Sequence, residues 1–264
     1  MAKEPKLLKY QVADNVTAFS TTRHGGCSEG SYRSFNINDY CGDTPEHTLA
    51  NKEALARILH TDTEHIILPH QNHGIESRRI GSEFFPLPGN VRKMILEGVD
   101  AVMTDLPSVC VGVSTADCIP VLLYDADHHA VCAVHAGWRG TVARITRKAI
   151  VDMTVHFHTD PKTLKAVIGP GISLDSFEVG QEVYDQFAEA AFDMDTIAKF
   201  YRKWHIDLPL CNKQMLQEAG VKEANIHMTG ICTMKRQEDF FSARALGTDS
   251  GRIYTGIMLN PKIQ

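Results

Sequence analysis

Two apolar runs near the middle of the chain, Ile119–Tyr124 (IPVLLY) and Ala130–His135 (AVCAVH), flank the polar stretch Asp125–His129 (DADHH). Short β-rich runs broken by a polar turn specify a β-hairpin. This hairpin constrains the fold and the chemistry together. If Tyr124 pairs with Ala130, Cys118 and His135 fall within one position of each other at the same hairpin end. A register one step different sets them directly opposite and on one face.

The flanking elements are mixed. Ser108–Ser114 reads as a strand. A helix is expected from Thr44 to His60, with Thr44 as N-cap and Pro45 in the first turn. Another is expected from Thr141 to Phe157, carrying Val142, Ile145, Ala149, Ile150 and Met153 on one side. Leu164–Ile168 reads as a strand leading into a glycine turn. Helices are expected at Val179–Phe192 and Leu210–Ala219, the second stopped by Gly220. Ile226–Thr229 and Ile253–Leu259 read as strands, and Phe85–Asn90 as a surface loop. Strands and helices are mixed without a regular βαβ rhythm, which favours α+β over a doubly wound sheet.

Composition narrows the function. The chain has 264 residues, 43% hydrophobic and 22% charged, so it buries a core and is not disordered. A formal charge of −5 argues against a nucleic-acid coat. No apolar run approaches the roughly 20 residues of a membrane span. The start, MAKEPKLLKY, has no secretion-type apolar region, and the seven cysteines form no Cys-x-x-Cys pair. Reduced thiols and a cytoplasmic location are expected.

A Cys and a His joined by the hairpin make a metal site, a nucleophile–base pair, or a buried thiol beside a hydrogen-bonded core histidine. The loop Leu68–Gly74 (LPHQNHG) follows a short apolar strand and offers His70 and His73 as a further donor. Three N/S donors leave the open position of a catalytic zinc site, and the same set also accepts copper. Zinc held in this way activates water near neutral pH. Asp117 adjoins the thiol as a base, an orienting carboxylate or an ordinary cap. Arg139, between Gly137 and Gly140 at the start of the Thr141 helix, is suited to an anionic substrate. Arg23, Arg244 and Arg252 are further candidates. Gly169-Pro170-Gly171 is either an anion nest or a tight turn. No Walker-type or G-x-G-x-x-G motif occurs, which removes support for triphosphate or dinucleotide binding.

At these residues the chain resembles the YfiH-like laccase-domain family, once called multicopper polyphenol oxidases. The core of the resemblance is STADCIPVLL with VHAGWRGT. Arg23-His24-Gly25-Gly26, Ser34-Phe35-Asn36, His73-Gly74, Asp100-Ala101, Ile168-Gly169-Pro170 and Gly251-Arg252 support it. The resemblance implies one domain over residues 1–264, an α/β/β/α layered sandwich with mixed sheets. It implies a metal held by His73, Cys118 and His135, either Zn²⁺ or Cu²⁺, with Asp117 completing the catalytic set. Arg23, Asn36, Arg139 and Arg244 are the implied substrate contacts. The implied reaction is purine nucleoside phosphorolysis of adenosine, inosine and methylthioadenosine, with adenosine deaminase activity beside it. The implied partners are small molecules, not nucleic acid or membrane, and the implied state is monomer or homodimer.

The family's usual Gly-Pro-Cys is here Gly169-Pro170-Gly171, and its Gln-Val-His-Gly is Gln71-Asn72-His73-Gly74. Two other activities fit the residues. One is a Cys–His amide hydrolase, for which the family resemblance further implies editing of peptidoglycan precursors. The other is a copper polyphenol oxidase. The second is short of ligands, since the chain's one His-x-His is His156-Phe157-His158.

Overall fold

The central hairpin forms, flanked by strands on both sides. The computed structural model describes residues 2–261. In chain order the strands are β1 (Leu7–Tyr10), β2 (Val16–Thr21), β3 (Ile66–Ile67), β4 (Ser77–Arg79), β5 (Ala101–Thr104), β6 (Cys110–Thr115) and β7 (Ile119–Asp125). They continue with β8 (Ala130–Ala136), β9 (Lys165–Ile168), β10 (Glu178–Val179), β11 (Ala198–Phe200), β12 (Trp204–Ile206), β13 (Ile226–Met228) and β14 (Ile253–Leu259). A six-stranded sheet runs β13-β9-β7-β8-β5-β4, and a five-stranded sheet runs β1-β2-β14-β6-β3. Both are mixed: β4–β5, β9–β13 and β3–β6 are parallel pairs among antiparallel ones. A small antiparallel sheet, β10-β12-β11, stands apart.

Alternation along the strands builds the layers. Val121, Leu123, Cys132 and Val134 turn outward and pack against helices Ile145–Phe157 and Leu208–Glu218. Leu122, Tyr124, Val131 and Ala133 turn inward and meet Val111, Val113 and Ile257 of the other sheet. The far face of that sheet, with Phe19, Cys110 and Tyr254, is covered by Leu55 and Leu59 of helix Pro45–Leu59. Helix, sheet, sheet and helix therefore stack in the expected α/β/β/α order. No helix among the described residues is long and apolar enough to cross a membrane.

Several expectations change in detail. The hairpin pairs Asp125 with Ala130 and Pro120 with His135, so the loop is one residue tighter than a Tyr124–Ala130 pairing. Cys118 consequently lies just before the ladder and not opposite His135. The helix expected from Thr141 to Phe157 is two helices, Trp138–Val142 and Ile145–Phe157. Arg144 breaks them with φ +64°. Its guanidinium bonds the Ala190 carbonyl at 2.8 Å and lies 3.7 Å from the Phe192 ring centre. The third-quarter helix is shortened to Gln181–Glu189, and Ala191 just beyond it has φ +58°. The Phe85–Asn90 loop ends early because Pro88 caps helix Gly89–Ile95. Thr44 holds the N-cap position of helix Pro45–Leu59 without a side-chain cap bond.

Candidate metal centre

His135 is the second-last residue of β8 and lies on the inward face, at the open end of the layer between the two sheets. The register of β5 beside β8 pairs Ala101 with Val134, which sets Asp100 next to His135. The His135 backbone N–H donates to the Asp100 carbonyl at 2.8 Å, and its ring Nδ1 meets Asp100 Oδ1 at 2.7 Å. Nδ1 is thereby occupied, leaving Nε2 as the free donor atom.

The same carboxylate shapes the loop that carries His73. Backbone N–H groups of His73 and Gly74 donate to Asp100 at 3.0 and 2.8 Å, and that of Asn72 at 3.3 Å. Burial opposes the charge on Asp100, but His135 and these donors hold its pKa below the usual carboxylate range. His73 itself has φ +65°, a conformation costly for a non-glycine residue and maintained by those bonds.

Cys118 arrives from the bend between β6 and β7, where Asp117 has φ +88°. The donor atoms of His73, Cys118 and His135 all lie within 4.8 Å of one another. Among the described residues this is the one group of three or more metal-capable side chains. Burial alone would push the Cys118 thiol up; His135 and His73 outweigh it and bring it down to about 6. Burial likewise lowers His135, but Cys118 and Asp100 raise it to about 9. A thiolate facing two imidazoles is a donor set that fits zinc. Gly137 makes room for it. A Cβ there would stand 2.9 Å from His73 Cδ2 and 3.1 Å from Cys118 Sγ.

The triad opens into a cleft of about 300 Å³, lined also by Asn38, Tyr40, Cys41, His70, Gln71, Ser114, Ala116, Ala243, Thr248 and Arg252. His70 is held through Nδ1 by Glu97 at 2.8 Å and stacks on Tyr40 at 4.1 Å between ring centres. The Gln71 side-chain amide accepts from the Ser114 N–H at 2.7 Å and donates to the Ser114 carbonyl at 2.8 Å.

The other expected site residues take different positions. Asp117 accepts from the Thr233 hydroxyl and the Arg244 backbone N–H, both at 2.7 Å. Arg23 gives its guanidinium to the carbonyls of Arg33 and Gln237 and does not line the cleft. Asn36 is fully buried beneath it, where it donates to Asp43 and accepts from the Arg252 backbone. Arg139 is exposed beside Trp138, outside the cleft lining. The Arg244 guanidinium donates to the Glu178 carbonyl at 3.0 Å. Arg252 is the one Lys or Arg side chain lining the cleft, and its guanidinium also donates to the carbonyls of Thr248, Ser250 and Gly251. Gly169 and Gly171 donate their N–H groups to the carbonyls of Pro120 and Ile231, so these groups are not free to form an anion nest.

A family model described as multi-copper polyphenol oxidoreductase laccase matches residues 17–260. The chain belongs to that family. A protein of Bacteroides thetaiotaomicron named purine nucleoside phosphorylase is 42% identical over 266 residues, which cover 98% of each chain. Adenosine deaminase RL5, from an unknown prokaryotic organism, is 39% identical over 247 residues, 92% of this chain and 94% of that one. The crystal structure of YfiH from Bacillus licheniformis matches with a TM-score of 0.90 at 29% identity, covering 97% of each chain.

Asp100 and Gln71 are the site residues that the sequence reading left without a role. Asp100 did carry a signal: one acid heading the apolar strand Ala101–Thr104, which is fully buried. Such a carboxylate needs donors, and His135 and the His73 loop are those donors.

Proposed function

We propose that this protein is a zinc-dependent purine nucleoside phosphorylase, and that His73, Cys118 and His135 hold the metal. The observation that carries the reading is the joint one: a three-donor centre in a cleft, in a chain 42% identical end to end to a protein named purine nucleoside phosphorylase. Zinc, when bound, supplies Lewis-acid polarisation of a substrate heteroatom.

The chain's own residues do the rest. Asp100 fixes the His135 tautomer and the His73 loop. Arg252 is the cation in the cleft for an incoming phosphate. A phosphate oxygen bonds to the sugar C1′ as the bond from C1′ to the purine nitrogen breaks. The purine keeps the electron pair and takes up a proton, and His70, with its Nδ1 held by Glu97, is the imidazole we assign to that transfer. Asp117 anchors the Arg244 segment through the backbone, the orienting role among those open to it. Adenosine, inosine and methylthioadenosine are the proposed substrates.

Adenosine deamination in the same cleft is the second reading, favoured by the 39% identical relative named adenosine deaminase. One experiment tests both. The zinc-loaded protein is incubated with adenosine, with and without phosphate, beside the Cys118→Ala variant. Phosphate-dependent adenine and ribose 1-phosphate, absent with the variant, are expected for phosphorolysis. Inosine indicates deamination. The absence of both products would overturn the purine reading.

A further inference from the structure

Ser114 lines the cleft together with His73, Cys118 and His135, yet its hydroxyl is not used by the protein. The residue is 6% exposed, and its buried Oγ has no hydrogen-bond partner among the described residues. Burying a hydroxyl without a partner is costly, so native structures satisfy such groups internally or with a ligand. Three other hydroxyls share this condition: Thr115, Thr159 and Thr229. None of those three lines the cleft.

The placement of Ser114 is also controlled. Its N–H and carbonyl are both taken by the Gln71 amide, at 2.7 and 2.8 Å. On its other side, the β6–β14 ladder sets Ser114 opposite Tyr254. Gln71 lies two residues before His73 on the same loop, and Ser114 lies four before Cys118. One clamp therefore ties the serine to the segments that carry two metal donors. A hydroxyl has one proton to donate and two lone pairs to accept with. Held in this register, it suits an oxygen-bearing group placed at the metal end of the cleft.

We infer that Ser114 is a substrate-binding residue whose Oγ hydrogen-bonds an oxygen of the bound nucleoside sugar or of the attacking phosphate. The inference rests on the phosphorylase reading and deepens it. Both groups present the same chemistry to a serine, and kinetics separate them.

The test is Ser114→Ala in the zinc-loaded protein. The kcat/KM for adenosine phosphorolysis is expected to fall about tenfold, the usual scale for one lost substrate hydrogen bond. If the partner is phosphate, the phosphate KM rises; if it is the sugar, the adenosine KM rises. The melting temperature is expected to stay level or rise, since no bond within the protein is lost. Zinc content is expected to stay equal to wild type. A melting temperature that drops together with zinc content would make Ser114 structural and overturn the inference. An active wild type with an equally active variant would overturn this inference alone. An inactive wild type would overturn it together with the phosphorylase reading.

Discussion

Asp100 Oδ1 sits 2.7 Å from His135 Nδ1, and the same buried carboxylate takes the backbone N–H groups of His73 and Gly74. Two of the three donors are thus oriented by one side chain. Asp100→Asn preserves the shape but turns an amide NH₂ toward groups that are themselves donors. Zinc affinity, read by competition with a chromophoric chelator, is expected to fall about 10–100-fold. An unchanged affinity would show that the loop and the ring are fixed by something else.

Gly137 supports the centre by having no side chain. Its φ of −68° is open to any residue, so the obstacle to Ala is purely the contact with His73 and Cys118. Gly137→Ala is expected to bind less than one equivalent of zinc while keeping the wild-type circular dichroism spectrum. Full loading would mean the donors have room to retreat.

The thiols are expected to sort by environment. In metal-stripped protein Cys118, with its pKa lowered to about 6, is a thiolate above that pH. Its alkylation by iodoacetamide should therefore rise between pH 5 and 7 and then level off. Burial pushes Cys110 up to about 12 and raises Cys132 and Cys211 as well, so peptide mapping should find these three unlabelled. Zinc should protect Cys118. A wild type that hydrolyses amides with zinc removed, and loses the activity on labelling, would favour the Cys–His hydrolase instead.

The arginines give an internal control. Arg252 lines the cleft and Arg139 does not. Arg252→Met is expected to raise the phosphate KM about tenfold or more, the cost of a lost charge-assisted contact. Arg139→Met should stay within about twofold, as for an exposed side chain. The reverse ranking would move the phosphate site to the start of helix Trp138–Val142.

The hairpin and the Cys118–His135 approach were legible because apolar alternation and turn chemistry are local signals, whereas the layered architecture was expected from the family resemblance. Strand Ile253–Leu259 has the expected bounds for the same reason. The break at Arg144 was not legible, since its cause is Ala190 and Phe192, far along the chain. Motif arginines looked alike in sequence. Arg23 proved to be a clamp on carbonyls of its own neighbourhood, which only the packing of residues 33 and 237 against it determines. Asn36 carries a polar amide into a fully buried position because Asp43 and the Arg252 backbone satisfy it there.

Strand β14 lies between β2 and β6, so the five-stranded sheet has its latest-made member near its middle. On the ribosome, at about 5–20 residues per second, synthesis from Thr115 to Leu259 takes roughly 7–30 seconds. Through that interval β2 and β6 each present an unfilled edge, the kind of surface that recruits strands from other nascent chains. The sheet that backs the cleft is completed as a closing zipper, long after the three candidate metal donors have been made.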